Sequence, residues 1–233
     1  MKNKIFISLL FLTLFVINIP IGFTQTPDNN VDLIITWSAY NFYPSNYLGH
    51  PLATQYTPIK LGLIAIQNNK IVDLSRNQII WRINSAVVGN DLGLTIINYQ
   101  NNNSNDQLLI EASVMINNQV YAKNIIIPIN SPSIVITNPA IDDNNDIYGG
   151  QSYVINAIPY FFNIQSIDDL QFTWYVNNQF ATDANKNVLN LEVGIPSDPV
   201  NNVISVKLYT RNKNAITEST KNTIYFTVLS PRQ

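Results

Sequence analysis

The stretch Asp73-Leu-Ser-Arg-Asn-Gln-Ile-Ile-Trp81-Arg-Ile-Asn84 recurs without a gap as Ser166-Ile-Asp-Asp-Leu-Gln-Phe-Thr-Trp174-Tyr-Val-Asn177. The two tryptophans lie roughly 93 residues apart, close to the roughly 100 residues of one small β-sandwich domain. An internal repeat identifies the unit of folding. The sequence therefore predicts two copies of one small β-domain.

The segments around this repeat alternate between apolar and polar residues, as half-buried strands do. In Leu108–Ile116 the even positions are apolar, and Glu111 and Ser113 are predicted on the opposite, solvent-facing side. Ile204–Thr210 follows the same pattern, with Lys207 facing outward. Because a slip of one residue would bury the charged side chains, the register of these strands is strongly specified.

Three asparagine pairs, Asn68-Asn69, Asn117-Asn118 and Asn177-Asn178, separate consecutive strand-like runs. Two-residue hairpin loops need a positive φ at both positions, and asparagine tolerates that conformation well. We therefore expect three tight hairpins. Ser131-Pro132 is predicted to separate the first domain, 31–131, from the second, 132–230, through a short join that restricts interdomain motion.

Residues 1–24 have the pattern of a signal peptide. Lys2 and Lys4 precede the apolar run Ile5–Ile17, and Gly22-Phe-Thr24 offers small residues for cleavage before Gln25. The alternative is an uncleaved hydrophobic anchor. Either form predicts an exported protein, extracellular or at the cell surface, that touches the membrane only through this segment.

Composition excludes several classes of function. Removing Lys2 and Lys4 from the 13 basic residues leaves 11 against 15 acidic residues, a net charge of −4. Without a basic patch, nucleic acid is not an expected partner. The chain has no cysteine, which excludes disulfides, thiolate catalysis and zinc–thiolate sites.

Each copy of the repeat resembles a bacterial immunoglobulin-like or PKD-like domain. The resemblance rests on Ile80-Trp81-Arg-Ile-Asn84 and Thr173-Trp174-Tyr-Val-Asn177, a strand-borne tryptophan followed by an Asn turn. Neither copy has the Asp-Phe-Gly-Asp-type run of a PKD domain proper. The resemblance implies an all-β fold of two tandem antiparallel β-sandwiches after an N-terminal hydrophobic signal helix, and it implies no catalytic residues.

The pair of domains also resembles small exported proteins of unknown function in reduced-genome candidate-phyla bacteria. That likeness is carried by Trp37-Ser, by Pro44-x-x-Tyr47-x-Gly49-x-Pro51-Leu52, and by Pro159-Tyr-Phe-Phe162 before the second tryptophan. These motifs are structural, so this resemblance also transfers no site.

Trp81 and Trp174 are predicted to be core residues between the sheets. The alternative is an exposed platform on which a ligand stacks.

The densest aromatic cluster is the candidate ligand-binding site, because tyrosine and tryptophan are enriched on binding surfaces. Its members are Trp37, Tyr40, Phe42, Tyr43 and Tyr47. The alternative is that these aromatics cover the open end of the first sandwich. Tyr160-Phe-Phe162 forms a second, smaller cluster with the same two interpretations.

Asp142, Asn144 and Asp146 place oxygen atoms at alternate positions of one loop, the kind of ligand that calcium prefers. The segment lacks the glycine and the closing glutamate of an EF-hand, so a solvated turn is the alternative. Calcium is the only cofactor that the sequence suggests.

No catalytic motif accompanies these features. His50 is the only histidine, and no serine has a nucleophile-elbow sequence. Asp168 and Asp169 are adjacent, so on a strand they would point to opposite faces. We therefore expect that the protein is not an enzyme.

The sequence predicts a non-catalytic cell-surface spacer or adhesion module whose partners are other surface proteins or glycans. The alternatives are a carbohydrate- or peptide-binding receptor, and an accessory subunit of a surface pilus or secretion assembly docked by strand addition.

Overall fold

The computed structural model of the protein describes residues 30–102, 105–138, 144–196 and 202–230. The predicted signal segment lies outside these ranges. Within them the regular structure is β-strand except for a short 3₁₀ turn at Ile167–Asp169. No helix in this part of the chain has the length and apolar character needed to cross a membrane.

The first sandwich packs two antiparallel sheets around one core. One sheet contains β1 (Asp32–Ala39), β2 (Pro58–Gln67), β3 (Lys70–Ile71) and β6 (Ile96–Gln100), and β2 pairs with the other three. The facing sheet runs in the order β5 (Ala86–Leu92), β4 (Gln78–Ile83), β7 (Gln107–Ile116), β8 (Gln119–Pro128). The buried side chains of both sheets form one continuous cluster.

The second sandwich repeats this plan with one change. Its smaller sheet runs β14 (Ala184–Asn185), β15 (Val188–Glu192), β11 (Ser152–Tyr160), β9 (Ser133–Thr137). Its larger sheet runs β10 (Asp146–Tyr148), β17 (Ser219–Leu229), β16 (Val203–Asn212), β12 (Leu170–Val176), β13 (Gln179–Phe180). The β10–β17 pair is parallel, and the other strand pairs of this sandwich are antiparallel.

Both bodies are immunoglobulin-like. In each sandwich the tryptophan-bearing strand pairs with the next-to-last strand, which pairs with the last strand. In the facing sheet a long strand earlier in the chain than the tryptophan-bearing strand pairs with a strand later in the chain, as β2 does with β6 and β11 with β15. The predicted fold class, two tandem antiparallel β-sandwiches, is confirmed.

The two tryptophans occupy equivalent places in the two cores. Trp81 is 0% exposed and Trp174 is 1% exposed. The Trp81 indole N–H donates to the carbonyl of Leu94 at 2.8 Å, and that of Trp174 donates to the carbonyl of Lys186 at 2.9 Å. Burial of these large rings stabilises each core, and the single polar atom of each indole is hydrogen-bonded.

The asparagine three positions after each tryptophan bonds to the neighbouring strand of the same sheet, β7 in the first sandwich and β16 in the second. The Asn84 side-chain oxygen accepts from the backbone N–H of Leu109 at 2.9 Å, and the backbone N–H of Asn84 donates to the Leu109 carbonyl. Asn177 makes the same two bonds with Ser205. The repeated Trp-x-x-Asn pattern thus corresponds to three hydrogen bonds in each sandwich, one donated by the indole and two made by the asparagine.

The three predicted hairpins are confirmed. Both residues of each pair have positive φ, between 49° and 65°. A fourth turn of this kind, Asn84-Ser85, with φ of 48° and 70°, was not predicted because only its first residue is asparagine.

Alternation along the strands is also confirmed, with one correction. Leu108, Ile110, Ala112, Val114 and Ile116 are buried, and Glu111 is half-buried and pairs with Arg82 at 2.8 Å. Ser113, however, is buried rather than solvent-facing. It lies in a central strand between Ile80 and Ala122, whose neighbouring side chains shield it.

The expectation for Asp168 and Asp169 assumed a strand, and the structure places both in the 3₁₀ turn before β12. Asp169 caps this turn by accepting from the backbone N–H of Ser166 at 3.0 Å. Asp168 accepts from the Lys186 ammonium at 2.6 Å, and this hydrogen bond and the positive charge lower the pKa of Asp168. The pair therefore has a structural role in the turn.

Substitution of Asn84 tests the side-chain bond to Leu109. Asn84 and Asn117 have nearly identical φ values, 48° and 49°, but of these two residues only Asn84 has a side-chain hydrogen bond to a neighbouring strand in the part of the chain that the structure describes. We expect Asn84→Gly to lower the free energy of unfolding in urea by about 1 kcal/mol more than Asn117→Gly does. Equal losses would mean that the side-chain bond contributes nothing beyond the turn conformation.

Candidate functional site

The structure divides the predicted aromatic cluster between two places. Trp37, at the end of β1, is half-buried against the first core, and its ring lies 4.6 Å from the ring of His50. The His50 ring nitrogens lie 3.0 Å from the Pro51 carbonyl oxygen and 3.2 Å from the Trp37 carbonyl oxygen. The only histidine of the chain therefore packs on Trp37 and is held by backbone carbonyls.

Phe42 and Tyr47 lie instead at the joint between the two sandwiches. Phe42 and the second sandwich form an antiparallel bridge, in which Phe42 N–H donates to the Phe162 carbonyl at 2.8 Å and Phe161 N–H donates to the Phe42 carbonyl at 2.6 Å. The Tyr47 ring contacts the rings of Tyr160 and Phe161 edge-on, each at 5.6 Å. The two aromatic clusters of the sequence thus meet each other.

Tyr40 and Tyr43 are the exposed members of the cluster. Tyr40 is 56% exposed and Tyr43 is 40% exposed. The Tyr43 ring packs edge-on against Tyr47 at 5.8 Å, so it extends the aromatic contact of the joint toward solvent.

Behind this aromatic layer, buried polar groups connect the sandwiches. The Thr57 hydroxyl donates to the side-chain oxygen of Asn163 at 2.8 Å, and Asn163 Nδ2 donates to the Gln55 carbonyl at 2.7 Å. The Thr54 hydroxyl donates to the Phe161 carbonyl at 3.1 Å. Thr54 and Thr57 are buried and Asn163 is half-buried, so these bonds are partly shielded from water.

Glu218 positions Asn163 in this network. Glu218 is 7% exposed, and its Oε1 accepts from both the backbone N–H and the side-chain Nδ2 of Asn163, each at 2.8 Å. Oε2 accepts from Asn212 Nδ2 at 2.6 Å. Because a carboxylate only accepts, the Asn163 amide must turn its nitrogen toward Glu218 and its oxygen toward Thr57.

A cleft of about 190 Å³ opens beside Glu218. Its lining includes Tyr56, Asn130, Pro132 and Thr217, from both sandwiches. Pockets for small molecules are usually about 300–1,000 Å³, so the cleft is too small for such a ligand.

A larger groove lies on the outer face of the first sandwich. It measures about 470 Å³ and is lined by Trp37, Tyr40, Lys60, Ile64 and Ile96, among others. Gly62 forms part of it, and a Cβ atom there would come within 2.7 Å of the Thr36 hydroxyl. Because Gly62 has no side chain, the groove is open at this position.

The predicted calcium ligands are only partly described. Asn144 lies in the turn before β10 and Asp146 begins β10, whereas Asp142 lies outside the described residues. Within the described residues no three His, Asp or Glu side chains come together as a metal site would require. The calcium site stays a prediction.

Asp73 is another carboxylate whose pKa is lowered, and the cause is a hydrogen bond within its own turn. The hydrogen bond from the Ser75 backbone N–H lowers the pKa of Asp73, at the start of the repeated stretch. Like Asp168, it belongs to a turn that precedes a tryptophan-bearing strand.

No protein-family model matches the sequence, and no curated protein matches it. The resemblance to exported proteins of candidate-phyla bacteria therefore stays a prediction.

Several solved structures resemble the chain in fold. Three N-terminal domains of the bacteriophage RB49 outer capsid protein Hoc share 8% identity, with a TM-score of 0.43, over 85% of this chain and 59% of that one. The fibronectin(III)-like modules of Clostridium thermocellum CbhA share 10% identity, with a TM-score of 0.28, over 84% and 95%. A tandem pair of titin immunoglobulin domains shares 6% identity, with a TM-score of 0.30, over 86% and 99%. At these identities and TM-scores the likeness adds nothing to the fold that the sheet order and strand registers already establish.

Proposed function

We propose that the protein is an exported, non-catalytic surface module in which two immunoglobulin-like sandwiches form a stiff spacer with an adhesive role. The observation that supports this most strongly is the interdomain joint. Tandem domains ordinarily move relative to each other unless a large interface fixes them. Here Phe42, Tyr47 and Thr57 of the first sandwich contact Phe161, Phe162 and Asn163 of the second through hydrogen bonds and ring contacts.

The short connection supports the same proposal. β8 ends at Pro128 and β9 begins at Ser133. Between them Asn130 forms a parallel bridge with Thr54, and its backbone N–H donates to the Ala53 carbonyl at 2.8 Å. The connection is thus held to the first sandwich almost up to Pro132, whose ring restricts the backbone further. Little free chain remains to act as a hinge.

A carbohydrate- or peptide-binding receptor is the second candidate function. The groove that Trp37 and Tyr40 help to line favours it, because a recess of about 470 Å³ falls within the size range of small-ligand pockets. Phe42 and Tyr47 are not available for this role, because they are engaged at the joint. The receptor function would therefore use only part of the cluster that the sequence suggested.

Docking by strand addition needs a free sheet edge, and β8 offers one. In the second sandwich β10 pairs with the outer edge of β17, whereas in the described residues β8 pairs only with β7. Lys123 lies in the middle of β8 and Pro128 at its end. Lysine and proline on an edge strand oppose pairing with another chain, so we rank this function below the other two.

Interspin distances test the stiff joint directly. The chain has no native cysteine, so nitroxides attached at Lys70→Cys and Gln179→Cys, both exposed strand positions on different sandwiches, label only those sites. We expect one narrow distance distribution. Asn163→Ala removes the bonds to Gln55 and Thr57 and should broaden it, whereas the exposed control Asn190→Ala should not. A broad distribution in the unsubstituted protein would contradict the spacer function.

Export is tested separately by cell fractionation with N-terminal sequencing. We expect the protein outside the cytoplasm with Gln25 as its first residue. A protein that begins at Met1 in the membrane fraction would support the anchored form, and recovery from the cytoplasm would contradict export.

A further inference from the structure

The outer face of the sheet β12–β16–β17 carries three cations and no acid. The outward positions align in rows across the three strands, which are Gln171–Arg211–Ser219, Thr173–Tyr209–Lys221 and Tyr175–Lys207–Thr223. All outward positions of these three strands lack Asp and Glu in the residues that the structure describes. In a chain of net negative charge, this face is a local positive surface.

A groove of about 660 Å³ lies on this face. Its lining includes Thr173, Tyr175, Tyr209, Arg211 and Lys221. The volume falls within the range of about 300–1,000 Å³ that is typical of small-ligand sites. The face therefore combines positive charge with a recess of suitable size.

The side chains of the groove are held in place before any ligand arrives. Arg211 Nη2 donates to Gln171 Oε1 at 2.6 Å, which orients the guanidinium and leaves further N–H donors for a ligand. The Tyr175 ring packs edge-on against Tyr209 at 5.8 Å and against Phe180 at 6.1 Å. A site with oriented side chains loses less entropy on binding.

An extended peptide is a poor match for this surface. Peptides that bind sheets gain affinity from main-chain hydrogen bonds to a free edge. β16 lies between β12 and β17, and β17 between β16 and β10, so the floor of the groove offers no free edge. The ligand must be recognised by side chains, through ring contacts and charge.

We propose that this face binds an acidic glycan, with Arg211 and Lys221 engaging sugar carboxylates and Tyr175 and Tyr209 contacting the sugar rings. The arginine fork pairs with a carboxylate through two parallel hydrogen bonds. A uronic acid chain presents both the ring and the charge in each unit. The proposal gives the adhesive role of the module a ligand class, and it does not depend on the stiffness of the joint.

Calorimetric titration with a short chain of galacturonic acid tests the proposal on the full mature chain. We expect binding that is lost when the carboxylates of the same oligosaccharide are methyl-esterified. Arg211→Gln should weaken binding at least about tenfold, because it removes charge-assisted hydrogen bonds. Tyr209→Ala should weaken it as well, and thermal unfolding checks that each variant is folded.

Lys70→Gln is the matched control, because Lys70 is exposed and lines neither groove. It should leave the affinity unchanged. Loss of binding in Lys60→Gln alone would place the ligand beside Trp37 and Tyr40 and overturn the proposal. The absence of binding, equal binding of the methyl ester, no effect of Arg211→Gln, or equally tight binding of poly-glutamate would also overturn it. The interspin distances that test the joint are measured separately, so failure of the glycan proposal can be distinguished from failure of the spacer function.

Discussion

The buried carboxylate of Glu218 is the constraint on which the relative placement of the two sandwiches depends. It accepts three N–H bonds from Asn163 and Asn212, all within the second sandwich. A buried charge with too few partners is costly, so this arrangement is strongly selected over others. Glu218 also affects the contact with the first sandwich, because it fixes the orientation of the Asn163 amide that bonds to Thr57 and Gln55. One acceptor in the second sandwich thereby sets the geometry of a contact with the first.

Around this polar centre the aromatic side chains form the outer layer of the joint. Phe162 is fully buried, and the Tyr47 ring packs edge-on against the ring of Phe161, whose backbone N–H donates to the Phe42 carbonyl. The apolar layer limits the access of water to the hydrogen bonds, which strengthens them. The aromatic residues that a ligand site at this end would need are already in contact with each other in this layer. The two grooves that Trp37 and Tyr209 help to line are not lined by these aromatic residues.

The features that could be predicted from sequence are those with a local signal. The tryptophan repeat predicted the two sandwiches, and the asparagine pairs predicted their hairpins because positive φ favours asparagine. Glu218, Asn163 and Thr57 could not be found this way, because they are isolated polar residues. Asn163 lies 55 positions from Glu218 and 106 positions from Thr57 in the sequence. The prediction for Ser113 failed for a related reason, since alternation shows which face a residue is on and not how far its neighbours cover it. Asp168 and Asp169 were misplaced because the repeat extends beyond the strand into the turn before it.

A double-mutant cycle between Thr57 and Asn163 tests the central claim most directly, because these residues belong to different sandwiches and meet only through the hydrogen bond of 2.8 Å. The free energy of unfolding in urea would be measured for the unsubstituted protein, Thr57→Val, Asn163→Ala and the double variant. The account predicts a coupling energy of about 1 kcal/mol, as for residues in one buried network. Strictly additive losses would contradict it, because they would mean that the two sandwiches touch at this point without stabilising each other.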